Sequence, residues 1–236
     1  MNEELITPRS VTEAEAEEIQ RAFTVKVYGW MTVGLAITAI FALLTLSSEE
    51  MFSLVFSSRW TFLGLVVAEL GLVIWLSARI QHMSAMTATL VFGGYSALTG
   101  ITMASIFVIY TASSAASTFA VCAGMFAATT AYGYFTTRDL TGLGGFMTMG
   151  LIGLILGSVV NLFLANATIY WITTYIGVLI FVGLSAYDAQ AIKAMSMVSL
   201  QGAETEQKAA ILGALKLYLD FVNLFLFLLR LLGRRR

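Results

Sequence analysis

Seven runs of roughly 20 apolar residues, each nearly free of charge, constrain this chain more than any other feature. They lie near residues 27–47, 60–78, 86–109, 115–136, 143–165, 168–190 and 210–232. A hydrocarbon core about 30 Å thick needs roughly 20 apolar residues per crossing helix. The expected fold is therefore all-α: a polytopic membrane protein with seven transmembrane helices. Composition agrees. Of 236 residues, 58% are hydrophobic and 11% charged, against about 25% charged in a soluble domain. A soluble core of this size would still need a polar shell; a surface facing lipid does not.

The rest of the composition narrows the chemistry. A net charge of −1 gives no footing for nucleic acid. Cys122 is the only cysteine and His82 the only histidine. That excludes a disulfide framework and a zinc site of the usual Cys/His kind. Cys122 lies in an apolar run and reads as packing. No cofactor is expected.

Residues 1–24 are acidic and polar, with Glu13, Glu15, Glu17 and Glu18, and do not resemble a cleavable signal. They are read as a solvated cytoplasmic tail, or as a short helix capped by Thr12 and Glu15. The helical membrane domain is then 25–233, and 234–236 is a basic tail. Residues 110–114 and 166–168 leave room only for tight turns, and 191–209 is the one roomy late loop. Gly153 and Gly157 fit the small-xxx-small pattern of membrane helix packing.

Lysine and arginine set the orientation. With the N-terminus inside, Arg9, Arg21, Lys26, Arg79, Arg138, Lys193 and Lys208 are cytoplasmic, and only Arg59 lies in an outer loop. Arg234, Arg235 and Arg236 run against this bias if the seventh helix crosses fully, which its length favours. A re-entrant helix would return them to the inside.

Ionisable residues within membrane spans cost roughly 2.5–3.5 kcal/mol each on insertion scales and are functional candidates by default. They are Glu69 in the second span, Asp188 in the sixth, and Asp220 and Arg230 in the seventh, with Arg79 at the end of the second. Lys216, Asp220, Asn223, Phe227 and Arg230 recur at steps of four and three, so they share one helical face. Such a helix should lie inside the bundle. Glu69 and Arg79 are ten residues apart, as are Asp220 and Arg230, about 15 Å of helix in each case. If the two helices pack antiparallel, Arg79 meets Asp220 and Glu69 meets Arg230. The alternative is that both arginines extend to the headgroups.

Asp188 and Asp220 flank the 191–209 segment and so lie in the same half of the membrane. In contact, two poorly solvated carboxyls resist double ionisation. Such a pair holds a proton near neutral pH and releases it as pH rises. It also offers hard oxygen ligands to a calcium ion, so protons and cations compete for one site. The alternative places Asp188 at the water boundary, as a cap.

The segments Gly183-Leu184-Ser185-Ala186-Tyr187-Asp188-Ala189-Gln190 and Leu217-Tyr218-Leu219-Asp220-Phe221-Val222-Asn223-Leu224-Phe225 resemble the Bax inhibitor-1 family, in particular its bacterial branch. Val27-Tyr28-Gly29-Trp30-Met31-Thr32 and Tyr95-Ser96-Ala97-Leu98-Thr99-Gly100 add to the likeness, which covers roughly 20–233. Ala189 departs from it, since the family often has threonine there; both carboxylates remain. The resemblance implies a last helix wrapped by the other six and a pH-sensitive calcium leak in a bacterial inner membrane. It implies an aspartate pair, here Asp188 and Asp220, as pH sensor and cation site. It also implies an arginine latch, best matched by Arg79, and an outer contact matched by Glu69 and Arg230. Lys216 and Asn223 would support the polar face.

Three functions follow from this reading. The first is a passive, pH-gated calcium leak, with the bilayer, calcium and protons as its partners and calcium as the permeant ion. The second is a membrane interaction protein that restrains another membrane protein, such as a quality-control protease, or acts on cell-survival machinery, with the acidic tail as its handle. The third is an intramembrane aspartyl protease, which would use a carboxylate pair sharing one proton. That family carries Gly-x-Gly-Asp and a Pro-Ala-Leu segment. This chain has Leu217-Tyr218-Leu219-Asp220 and no proline after Pro8, so a non-enzymatic role is favoured.

Overall fold

A computed structural model describes residues 12–236. Among the described residues, seven helices are long and apolar enough to cross a membrane. They belong to α1 (Glu13–Ser47), α3 (Arg59–Arg79), α4 (Ala85–Met103) continued by α5 (Ser105–Ile109), α6 (Ala112–Phe135), α7 (Thr141–Leu164), α8 (Ala167–Met195) and α9 (Ala203–Leu232). The short α2 (Glu49–Phe56) joins α1 to α3 and is capped by the Ser48 hydroxyl, which accepts from Met51 N at 3.2 Å.

α1 begins where the Thr12–Glu15 spacing suggests. The Thr12 hydroxyl accepts from Glu15 N, and the Glu15 carboxylate accepts from Thr12 N. The helix then runs unbroken into the first span, so residues 13–24 are its first turns and no boundary falls at residue 24. Residues 1–11 of the expected tail lie outside the described residues.

α9 is the axis of the bundle. It packs against α1, α4, α6 and α8, and Ala210, Ile211, Ala214, Leu217, Tyr218 and Leu224 are wholly buried. The surrounding layer is uneven. α3 rests on α4, and α7 rests on α8. Both turn large side chains outward, among them Trp60, Val67, Ile74, Phe146, Leu156 and Phe163. Lipid solvates these groups at no hydrophobic cost.

Two expectations about packing are corrected. A Cβ on Gly153 would meet nothing within 4 Å, and one on Gly157 would make only ordinary contact with Thr173. The close approaches lie at Gly133, where a Cβ would strike the Ala186 carbonyl, and at Gly100, where it would strike that of Thr38. Nor is 191–209 a loop. α8 runs to Met195, a 3-10 segment covers Ser196–Gln201, and Gly202 at φ 111° turns the chain directly into α9.

The C-terminal arginines are held in place. Thr111 N donates to Arg234 O at 3.1 Å, Arg236 N to Ile109 O at 3.0 Å, and Arg234 N to the Ser114 hydroxyl at 2.8 Å. α9 therefore runs the length of the bundle and ends beside the α5–α6 turn.

Candidate functional site

Asp188 on α8 and Asp220 on α9 are brought together. They are 8% and 4% exposed, and their carboxyl groups lie within hydrogen-bonding reach of each other. Asp220 Oδ2 is buried and has no hydrogen-bond partner among the described residues. Two facing carboxylates have only acceptors, so a proton or a cation is what completes this contact. Asp188 is buried within α8 and caps neither of its ends.

The local folding reasons are plain. α8 and α9 are joined by the tight turn at Gly202, so they pack antiparallel along much of their length. Ala186 and Ala189 are small, and Gly133 lets α6 press its backbone against α8 at Ala186. Gln190 fixes the end of α8 by accepting from Leu140 N and donating to Arg138 O, both at 2.8 Å.

The cation at this pair is Lys216. Its Nζ donates to Asp188 Oδ1 at 3.3 Å, and the lysine side chain stays 39% exposed. Arg79 is exposed and makes no ion pair or hydrogen bond with a described residue. Glu69 accepts instead from the Thr102 hydroxyl at 2.6 Å. Arg230 stands over the rings of Tyr170 and Phe227, at 5.8 and 5.1 Å. The expected α3–α9 interface with its two ion pairs is thus not formed, because α3 packs on α4 at the rim of the bundle. Asn223 is half-buried and its amide donates to Leu219 O, one turn back.

A neutral network elsewhere on α9, centred on Tyr218, was not foreseen. Tyr218, wholly buried, makes a 2.6 Å hydrogen bond with the Thr38 hydroxyl. Thr38 also lies 2.9 Å from Ser96 O. Phe92 and Tyr95 meet the Tyr218 ring edge-on. The contact links α1, α4 and α9. A tyrosine two residues before a membrane aspartate was the available signal, since a buried phenol must find a partner. At the same end of the bundle as Lys216, Lys26 on α1 pairs with Glu206 on α9 at 2.9 Å.

An all-α bundle built round a helix that carries a buried carboxyl pair defines a polytopic membrane protein with a polar, titratable centre. Its family follows from comparison. Residues 20–236 match the family model described as inhibitor of apoptosis-promoting Bax1, and the chain belongs to this Bax inhibitor-1 family. It is 50% identical over 230 residues to inner membrane protein YbhL of Escherichia coli K12, covering 97% of this chain and 98% of YbhL. A Borreliella burgdorferi protein is 43% identical over 218 residues, covering 92% and 94% of the two chains. Protein YrjE of Lactococcus lactis is 34% identical over 214 residues, covering 90% of each. The chain is a multi-pass membrane protein.

Proposed function

We propose that this protein is a pH-sensitive calcium leak of a bacterial inner membrane, with Asp188 and Asp220 as its shared proton and cation site. The observation that carries the reading is the buried contact between the two carboxyls, with Lys216 on one of them and a partnerless oxygen on the other. With one proton on the pair, its single negative charge is balanced by Lys216, and the site is neutral. Loss of that proton leaves one uncompensated negative charge in a poorly solvated place, which a calcium ion with its remaining waters can neutralise. Protons and calcium therefore oppose each other, and Lys216 acts as a tethered competitor for both. In this arrangement the latch is the lysine one turn before Asp220 and not Arg79. The inner-membrane assignment draws on the relative YbhL.

The test is calcium flux into proteoliposomes containing the purified protein, scanned from about pH 5 to about pH 8. An Asp188→Asn/Asp220→Asn variant is run beside it. The expected result is a flux above that of empty liposomes whose pH dependence vanishes in the variant. No flux at any pH overturns the leak; an unchanged profile in the variant removes the sensor from this pair.

A further inference from the structure

Away from the carboxyl pair, a cavity of about 740 Å³ opens sideways from the bundle, with α5 on one side, α7 on the other and α8 and α9 behind. Its walls are mainly apolar, including Ile106, Leu151, Leu154, Val159 and Leu226. Toward the C-terminal end it meets a second cavity of about 630 Å³, and both are lined by Asn161, Tyr170, Arg230 and Arg235. An apolar slot thus ends in a polar cup that carries two arginines. Neither lining contains an aspartate or a glutamate.

From this geometry we infer that the joined cavities bind one anionic glycerophospholipid, its phosphate between Arg230 and Arg235 and an acyl chain in the slot between α5 and α7. Three observations agree. Leu151 to Leu162 on the α7 wall spans eleven residues, about 16 Å of helix, or half of a hydrocarbon core about 30 Å thick. The slot therefore has the depth of one leaflet. The arginines are positioned but not neutralised: Arg235 Nη2 donates to the Tyr170 hydroxyl at 3.1 Å, and Arg230 lies over two aromatic rings. An uncompensated cationic pair facing an apolar slot complements a phosphodiester joined to a hydrocarbon tail. Finally, arginines gathered at the end of the bundle remote from Lys26 and Lys208 oppose the usual charge bias of membrane proteins, and a bound anionic headgroup offsets that opposition. The same charge makes the cup a poor entrance for calcium.

The experiment is native mass spectrometry of the delipidated full-length protein, titrated with phosphatidylglycerol or with phosphatidylcholine of identical chains. One phosphatidylglycerol should bind with a preference of roughly tenfold or more, as expected from two arginines near a phosphate. Arg230→Gln/Arg235→Gln should abolish the preference, and Arg230→Lys/Arg235→Lys should keep most of it. Ser158→Phe, which fills the slot without touching the arginines, should weaken both lipids. Circular dichroism establishes that each variant is folded, and Arg235→Gln alone, altered only in the exposed tail, should already reduce the preference. Equal binding of the two lipids, or a preference unchanged in the double glutamine variant, overturns the site.

Discussion

Lys216 lies one helical turn before Asp220 on α9, yet its ammonium reaches across to Asp188 on α8 at 3.3 Å. The lysine thus ties together the two helices that carry the acidic pair, and its 39% exposure leaves it free to be displaced. Lys216→Gln removes the resident positive charge while keeping a polar side chain. Calcium should then bind the purified variant more tightly than the wild type, by roughly tenfold, since a neighbouring opposite charge shifts such equilibria by about one decade or more. Lys216→Arg should stay close to wild type. Calorimetric calcium titration decides; equal affinity in Lys216→Gln would show that the lysine does not compete.

If calcium and protons share the Asp188 and Asp220 oxygens, as proposed, the sign of their linkage is fixed. Acidification must weaken calcium binding, and calcium binding must release protons. Titrations in two buffers of different ionisation enthalpy count those protons directly. Asp220→Asn should reduce the count and flatten the pH dependence, because a single remaining carboxylate paired to Lys216 has no shared proton to give up.

Removing the Tyr218 hydroxyl takes one of three hydrogen-bond partners from the buried Thr38 hydroxyl, the one at 2.6 Å. Thr38 keeps its bonds to the Gly34 and Ser96 carbonyls, so Tyr218→Phe should destabilise the protein by only about 1 kcal/mol, the usual net value of one hydrogen bond. Reversible unfolding in mixed micelles is the measurement. The ring contacts with Phe92 and Tyr95 survive the substitution, so a loss much larger than this would assign the hydroxyl a wider role.

Gly133 and Gly153 offer a paired test of packing. A Cβ at Gly133 meets the Ala186 carbonyl, whereas one at Gly153 meets nothing. Gly133→Ala should cost about 1–3 kcal/mol or more by overpacking and should also disturb Asp188, two residues from Ala186. Gly153→Ala should be neutral or slightly stabilising.

Outside the membrane, Asp139 accepts from Thr141 N at 2.8 Å, and the Thr141 side chain and backbone hold its carboxyl below the ordinary aspartate range. Its contribution to the start of α7 is therefore present above the ordinary carboxylate value and fades as pH falls through the lowered one. In Thr141→Ala the midpoint, followed by carboxyl carbon resonance, should rise toward the ordinary value.

The seven spans and the central position of α9 were legible because length and the Lys216-to-Arg230 stripe state them directly. The sequence placed Asp188 and Asp220 in the same half of the membrane and left open whether they meet. The partners of the arginines were not legible, since equal ten-residue spacings on two helices say nothing about whether those helices touch. α3 lies on α4, and the proposed pairs with α9 vanish with the interface. The 191–209 segment misled through its polarity: Lys193, Glu204, Glu206 and Lys208 suit a solvated helix end as well as a loop, and Lys26–Glu206 shows how they are used. Lys216 was visible as part of a stripe, but its choice of the aspartate on the neighbouring helix depends on helix rotation, which periodicity leaves open.

α9, the axis of the bundle, follows the six other spans in the chain. Without it, the inward faces of α1, α4, α6 and α8 would enclose an unfilled trough in which Thr38 and Asp188 lack their neighbours. The six preceding spans are a shell built round an absent centre, so a copy broken off before residue 203 would lose its core and not its edge.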